Sequence, residues 1–226
     1  MKKFFPVLII LSALFLYGCN TISYYADYKI SLFQVERPMK AVQVYGNPRI
    51  DDVFNDAKYK YCFEDSLIKI SMSADSRQII FLFANKTNQT IKIPWDEAAY
   101  VDEDGFSHRV IHSSIDFADK EKPQPPSVIV RKSQMEESII PTDFVKWIDS
   151  GGEHSSPYWN VEPFLVENIA GKGSKENIYA TQADFLNAVK LNIGKEFQVL
   201  LPLEVKDVTY EYIFTFKVDD VKVNKK

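Results

Sequence analysis

The sequence predicts a mainly β protein, an antiparallel β-sandwich that is loosely immunoglobulin-like, with one short helix near residues 181–190. Three observations predict this fold. Many short segments alternate apolar and polar residues, as strands with one buried face do. Polar turns separate these segments about every 8–12 residues. Four aromatic residues also stand on alternate positions of one C-terminal segment, as the core of two packed layers requires: Tyr210, Tyr212, Phe214 and Phe216.

In the first half of the chain, period-2 segments follow one another closely. Turns with Asn, Asp, Ser or Gly separate them, and Asp104-Gly105 suits a tight hairpin connection. The predicted strands are residues 59–63, 68–72, 78–84, 90–94, 98–101 and 108–111.

The second half is less regular. Charge and proline predict an exposed loop at residues 119–126, and Gly and Ser predict another at 150–157. A short helix or 3₁₀ turn capped by Thr142 is predicted at 141–148, and a capping box beginning at Thr181 predicts the helix that Gly194 ends. The predicted strands here are residues 127–131, 138–140, 196–205 and 208–218.

The composition is that of a globular protein. The 226 residues are 46% hydrophobic and 26% charged, which excludes a disordered chain, a collagen-like fibre and a multi-span membrane protein. The formal net charge is -4, and like charges do not form long runs. Nucleic acid is therefore not expected as a partner.

The amino terminus has the pattern of an export signal. Lys2 and Lys3 precede an uncharged, apolar run over residues 4–17. A membrane-spanning helix needs about 20 apolar residues, so this run is short for one. Two alternatives stay open at this point: a simple membrane span, and a secretory signal with an incidental cysteine.

The end of this run, Leu16-Tyr17-Gly18-Cys19, resembles the lipobox of bacterial lipoprotein precursors. The resemblance implies cleavage between Gly18 and Cys19 and attachment of lipid, including palmitate, to the Cys19 thiol. Tyr17 is bulkier than the residue usual at its position. Asn20, where Asp would favour the inner membrane, implies an outer-membrane lipoprotein facing the periplasm if the host has two membranes.

These features divide the chain into three parts. Residues 1–18 are the predicted signal peptide, residues 19–40 a lipidated tether with a short strand at 30–35, and residues 41–226 a single β-rich domain. Cys62 is the second of two cysteines, so the mature chain has no intramolecular disulfide and Cys62 is predicted to be a buried, inert thiol.

Four aromatic residues near loops are candidates for contact with a ligand or partner: Trp95, Trp147, Tyr158 and Trp159. Aromatic side chains at a surface can stack against sugars, peptidoglycan or a protein. The alternative is that they fill the edges of the core, since tryptophan is mostly buried.

Catalytic and metal-binding patterns are scarce. The common motifs of serine hydrolases, zinc proteases and nucleotide-binding proteins do not occur in the sequence. His108 and His112 are predicted on one strand, where they would lie ~13 Å apart, too far for a shared metal. His154 could act as a base if the fold places a carboxylate beside it. We expect no cofactor and no bound metal.

The sequence thus favours a membrane-anchored lipoprotein of the bacterial envelope that acts as a binding or assembly module and is not an enzyme. Its expected partners are the membrane, through the lipid on Cys19, and an envelope protein or glycan. One alternative is an envelope hydrolase or carbohydrate-active enzyme that uses His154 with a neighbouring carboxylate. Another is an accessory part of a secretion or surface machine.

Overall fold

The computed structural model describes residues 24–38, 49–52, 58–149, 156–167 and 182–225. Within these ranges the chain is mainly β, every strand pair is antiparallel, and the single α-helix is α1 (Gln182–Lys190). The predicted fold is confirmed at this level. The strands are β1 (Tyr24–Glu36), β2 (Arg49–Asp52), β3 (Tyr61–Glu64), β4 (Ile68–Ala74), β5 (Ile79–Asn85), β6 (Ile91–Ile93), β7 (Ala99–Val101), β8 (Ser107–His112), β9 (Ser127–Ile129), β10 (Gln134–Pro141), β11 (Val145–Ile148), β12 (Tyr158–Val161), β13 (Glu196–Val205) and β14 (Val208–Lys225).

Twelve strands form one curved sheet, and β11 and β12 form a separate two-stranded hairpin. The main order is β1-β14-β13-β7-β8-β10-β5-β4-β3-β2, with β6 paired to β13 and β9. Strand β1, at one end of this order, contacts β3 and β4 near the other end. The described strands therefore curl into a nearly closed, barrel-like sheet. This strand order does not establish the more specific prediction of an immunoglobulin-like sandwich.

The first strand is longer than the sequence analysis predicted. Residues 19–40 were expected to form a tether with a short strand at 30–35, whereas β1 covers residues 24–36 and pairs with β14 through two register shifts. Alternate side chains are buried from the start of the strand: Ala26, Tyr28, Ile30 and Leu32. Part of the predicted tether therefore belongs to the sheet.

The aromatic residues predicted on one face of β14 form the centre of the core. Tyr212, Phe214 and Phe216 are fully buried, while Tyr210 lies at the edge. Phe63 of β3 meets Tyr212 and Phe214 edge to face, with ring centroids 6.1 and 5.9 Å apart. Burial of each such side chain contributes about 2–3 kcal/mol, so this cluster holds the two ends of the sheet order together.

The single helix lies where the sequence predicts it. Phe185 and Val189, one turn apart, are fully buried, so α1 presents one apolar face to the sheet. Gly194 has a φ of +87° in the turn that follows and donates its N–H to the carbonyl of Val218 at 2.8 Å. Residue 181, the predicted cap, lies outside the described ranges.

In the middle of the chain some local predictions are confirmed and one is confirmed only in part. The hairpin around Asp104-Gly105 is confirmed as β7 and β8, with Gly105 at a φ of +86°. The helix or 3₁₀ turn predicted at 141–148 is a 3₁₀ turn at Thr142–Phe144 that leads straight into β11. Cys62 is buried, as predicted.

The lipobox residues, including Gly18 and Cys19, and the loop that holds His154 lie outside the described ranges. In the part of the chain that the structure covers, no helix has the length and apolar character needed to cross a membrane.

Candidate binding site

Trp95 is a core residue. Its side chain is 0% exposed, its indole stacks on the imidazole of His112 with 4.5 Å between centroids, and Phe81 packs nearby. The indole Nε1 donates a hydrogen bond to Ser127 Oγ at 2.8 Å. Trp95 therefore fills the core, which was the alternative to a ligand contact, and its side chain offers no surface to a ligand.

The other three aromatic candidates lie on the β11–β12 hairpin. Trp147 pairs with Trp159 across the hairpin, and Ile148 pairs with Tyr158. Because side chains alternate along a strand, Trp147 and Trp159 share one face and Tyr158 stands on the opposite face. The two indoles meet edge to face at 5.2 Å. Trp147 is 52% exposed and Tyr158 is 54% exposed, so both hairpin faces present aromatic surface to solvent.

The hairpin is fixed at its base. Lys120 Nζ donates hydrogen bonds to the carbonyls of Thr142 and Val145 at 2.9 and 2.8 Å. Arg77 pairs with Glu167 at 2.5 Å and also donates to the carbonyl of Val161. These bonds tie both hairpin strands to loops of the main sheet, so the orientation of the two tryptophans is defined.

A groove of about 390 Å³ lies beside the hairpin. Ile111 and Ile140, paired across β8 and β10, form part of its lining on the face opposite to the buried Ile139. Trp159 lines the groove together with Phe117, and their ring centroids are 6.4 Å apart. The groove therefore has an apolar base and an aromatic wall.

Polar side chains also line this groove. Within the described residues, neither the amide of Gln78 nor the hydroxyl of Ser138 has a hydrogen-bond partner. Asp116 Oδ1 accepts the N–H of Ala118 at 2.9 Å and so caps a 3₁₀ turn. The lining contains no lysine or arginine. The Gln78 amide and the Ser138 hydroxyl are therefore available to hydrogen-bond an uncharged ligand.

A buried histidine–glutamate cluster forms part of the groove lining through His112 and Ser113. His112 and Glu137 are 4% and 6% exposed, with Nδ1 and Oε1 3.4 Å apart. Burial raises the pKa of Glu137, but hydrogen bonds from His112, Ser113 and Ser114 outweigh it and lower that pKa overall. Ser113 donates to Glu137 and not to His112, so the cluster is not a serine nucleophile with its base. In the described structure, His112 Nε2 has no partner.

A second histidine cluster positions the start of the hairpin. His108 Nδ1 lies 2.7 Å from Asp143 Oδ2, and Nε2 lies 3.0 Å from Asp102 Oδ2. Burial alone would lower the pKa of His108, but the two carboxylates together raise it. Burial likewise raises the pKa of Asp102, and hydrogen bonds from His108 and two backbone N–H groups lower it overall. The cluster joins the β7–β8 turn to the 3₁₀ turn that precedes β11.

We expect His108→Gln to destabilise the protein in a pH-dependent manner. A raised His108 pKa stabilises the fold fully below the unfolded value of 6.5, and this contribution is lost as the pH rises through the folded pKa. The lowered Asp102 pKa contributes above 3.8 and is lost as the pH falls through its folded value. The substitution should therefore cost about 1–2 kcal/mol near pH 5.5 and less near pH 9. Urea denaturation at both pH values measures this, and an equal loss at both would contradict it.

Metal chemistry has no support in the described ranges, where no group of three or more His, Cys, Asp or Glu side chains could hold an ion. The enzyme alternative depended on His154, which lies outside the described residues, so it stays a prediction. Comparison of the chain with protein-family models, with curated proteins and with solved structures finds no match.

Proposed function

We propose that this protein is a lipid-anchored lipoprotein of the bacterial envelope whose β domain acts as a binding or assembly module. The observation that supports this best is the β11–β12 hairpin, which exposes Trp147 and Tyr158 to solvent and places Trp159 in the lining of a groove. Exposed tryptophan and tyrosine on a rigid element are typical of interaction surfaces, because they bury a large area with little loss of side-chain entropy.

The lipobox supports the anchoring part of the proposal. Lipid on the Cys19 thiol, together with acylation of the new amino group, would supply two or three chains, enough for stable attachment to a bilayer. The link from Cys19 to Tyr24, where β1 begins, can span at most about 18 Å. The domain would therefore sit close to the membrane. Asn20 favours the outer membrane, facing the periplasm, in a host with two membranes.

We also propose that the curled sheet packs as two facing layers, as a β-sandwich does. Strands β3 and β14 are distant in the sheet order, yet the ring centroids of Phe63 and Phe214 are 5.9 Å apart across the core. Side chains from two sheet faces that interdigitate in this way are the basis of sandwich packing.

The anchor is tested by labelling cells with radioactive palmitate. The wild-type protein should carry the label and fractionate with membranes, and Cys19→Ala should lose both properties. Cys62→Ala is the matched control, since Cys62 is buried in the domain and should not affect labelling. Label that persists in Cys19→Ala would overturn the anchor.

The binding role is tested with a photo-crosslinking amino acid at position 147, on the aromatic hairpin. Phe106, 67% exposed on the β7–β8 turn, is the control position. Crosslinking in intact cells should give one reproducible envelope product from position 147 and none from position 106. Equal products from both positions, or none from position 147, would contradict a binding role for the hairpin.

A further inference from the structure

We propose that the groove beside Trp159 binds a neutral oligosaccharide. This inference rests on the proposed function, because it gives a ligand class to the binding module. Three properties of the groove support it: its aromatic wall, polar side chains that have no partner within the described residues, and a lining without lysine or arginine.

The aromatic wall suits sugar rings. A pyranose ring has a face of C–H groups that packs against an indole or phenyl ring, so carbohydrate sites use aromatic side chains as platforms. Trp159 and Phe117 line the groove 6.4 Å apart, and Trp147 continues the row at 5.2 Å from Trp159. The two lining rings, Trp159 and Phe117, can each offer a platform to a sugar ring, and Trp147 extends the aromatic surface beyond the groove.

The polar side chains suit hydroxyl groups. Each sugar hydroxyl both donates and accepts, and the Gln78 amide and Ser138 hydroxyl can do the same. Both are unpaired within the described residues and stand beside Ile140 on the same sheet face. Asp116 adds a carboxylate acceptor at the rim. A purely hydrocarbon ligand would leave these groups unsatisfied, which argues against a fatty acyl chain as the occupant.

The side chains that line the groove and its volume limit the class of ligand that it can bind. Phosphorylated or sulfated ligands are usually held by lysine, arginine or helix N-terminal N–H groups. The groove lining has no lysine or arginine, and its His112 already faces the carboxylate of Glu137. Asp116 already caps the 3₁₀ turn that begins at Phe117. The carboxylate side chain of Asp116, which also lines the groove, would disfavour an anion. A volume of about 390 Å³ lies within the range of small-molecule sites. A short, uncharged oligosaccharide fits all three properties.

The test is titration of the detergent-solubilised, full-length protein with maltotriose, cellotriose and chitotriose, followed by tryptophan fluorescence and calorimetry. At least one trisaccharide should bind with a dissociation constant of about 1 mM or lower. No binding of any of the three up to about 10 mM would overturn the inference. Tighter binding of glucose 6-phosphate than of every neutral trisaccharide would overturn it as well.

Variants locate the site. Trp159→Ala and Gln78→Ala should each weaken binding about tenfold or more, since each removes one side of the groove. Phe106→Ala is the control, because Phe106 is 67% exposed on the β7–β8 turn, does not line the groove and should leave affinity unchanged. Gln78 is half-buried and its side chain has no partner within the described residues, so its variant should fold even if Trp159→Ala does not.

Different results would overturn the oligosaccharide ligand and the binding role of the hairpin. An envelope crosslink from position 147 without sugar binding would leave the binding module standing and remove the oligosaccharide. Sugar binding that Tyr158→Ala abolishes and Gln78→Ala spares would place the site elsewhere on the hairpin and overturn the groove assignment.

Discussion

Replacing Asp65 with alanine is expected to lower the free energy of unfolding by about 3–5 kcal/mol. Asp65 is 4% exposed, and its Oδ1 accepts the N–H groups of Leu67 and Ile68 at 2.8 and 2.9 Å. Its Oδ2 accepts from the hydroxyl of Tyr212 at 3.0 Å and from Arg37 at 3.4 Å. Alanine would remove an acceptor shared by two buried backbone N–H groups, the buried Tyr212 hydroxyl and the partly buried Arg37, and each buried donor that loses an acceptor costs about 1 kcal/mol or more.

The effect should be large because Asp65 joins three distant parts of the sheet. Arg37 directly follows β1, Asp65 lies between β3 and β4, and Tyr212 belongs to β14. The carboxylate therefore connects the β1–β14 end of the sheet order to the β3–β4 end, where the curled sheet nearly closes. Loss of this contact should loosen the closure and reduce cooperativity as well as stability.

Equilibrium urea denaturation measures the change. Asp65→Asn keeps an acceptor for the two backbone N–H groups but loses the charge that faces Arg37, so its loss should be smaller. Asp51→Ala, at an exposed edge-strand position, is the surface control and should change stability by about 0.5 kcal/mol or less. A loss below about 1 kcal/mol for Asp65→Ala would contradict the role assigned to this carboxylate.

Local patterns predicted most strands, but they could not predict how the strands are arranged. Alternation of apolar and polar residues reports that one face of a strand is buried, and this holds equally in a sandwich and in a nearly closed barrel. The β7–β8 hairpin and the aromatic ladder of β14 could be predicted because their signals lie within a few residues. The pairing of β1 with β14 joins residues far apart in the sequence, from Tyr24 with Lys225 to Glu36 with Ile213, which no local pattern reports.

The site was only partly predictable for the same reason. Trp95 and Trp147 carry the same signal in the sequence, an aromatic residue near a loop, and both were therefore candidates for ligand contact. Folding separates them, because the 3₁₀ turn at Trp95–Glu97 places one indole in the core while β11 presents the other to solvent. Gln78 and Ser138 carried no signal at all. They become a pair only because β5 and β10 are neighbours.

Because Trp95 lies in the core and Trp147 at the surface, their substitutions should differ in cost. Trp95→Ala is expected to lower the free energy of unfolding by about 3–5 kcal/mol. The indole is 0% exposed, stacks on His112, and donates to Ser127. Alanine would leave a cavity the size of the lost ring and remove the partner of the Ser127 hydroxyl. Trp147→Ala, by contrast, truncates a side chain that is 52% exposed and should cost about 1 kcal/mol or less.

Urea denaturation of the two variants, together with trisaccharide titration, distinguishes a core role from a ligand contact. Trp95→Phe keeps most of the buried volume and should remain folded at a loss of about 1–3 kcal/mol, which includes the missing bond to Ser127. Because Trp95 does not line the groove, Trp95→Phe should bind trisaccharide with wild-type affinity. Reduced affinity in a folded Trp95→Phe protein, or equal destabilisation by Trp95→Ala and Trp147→Ala, would contradict this division of the aromatic residues between core and surface.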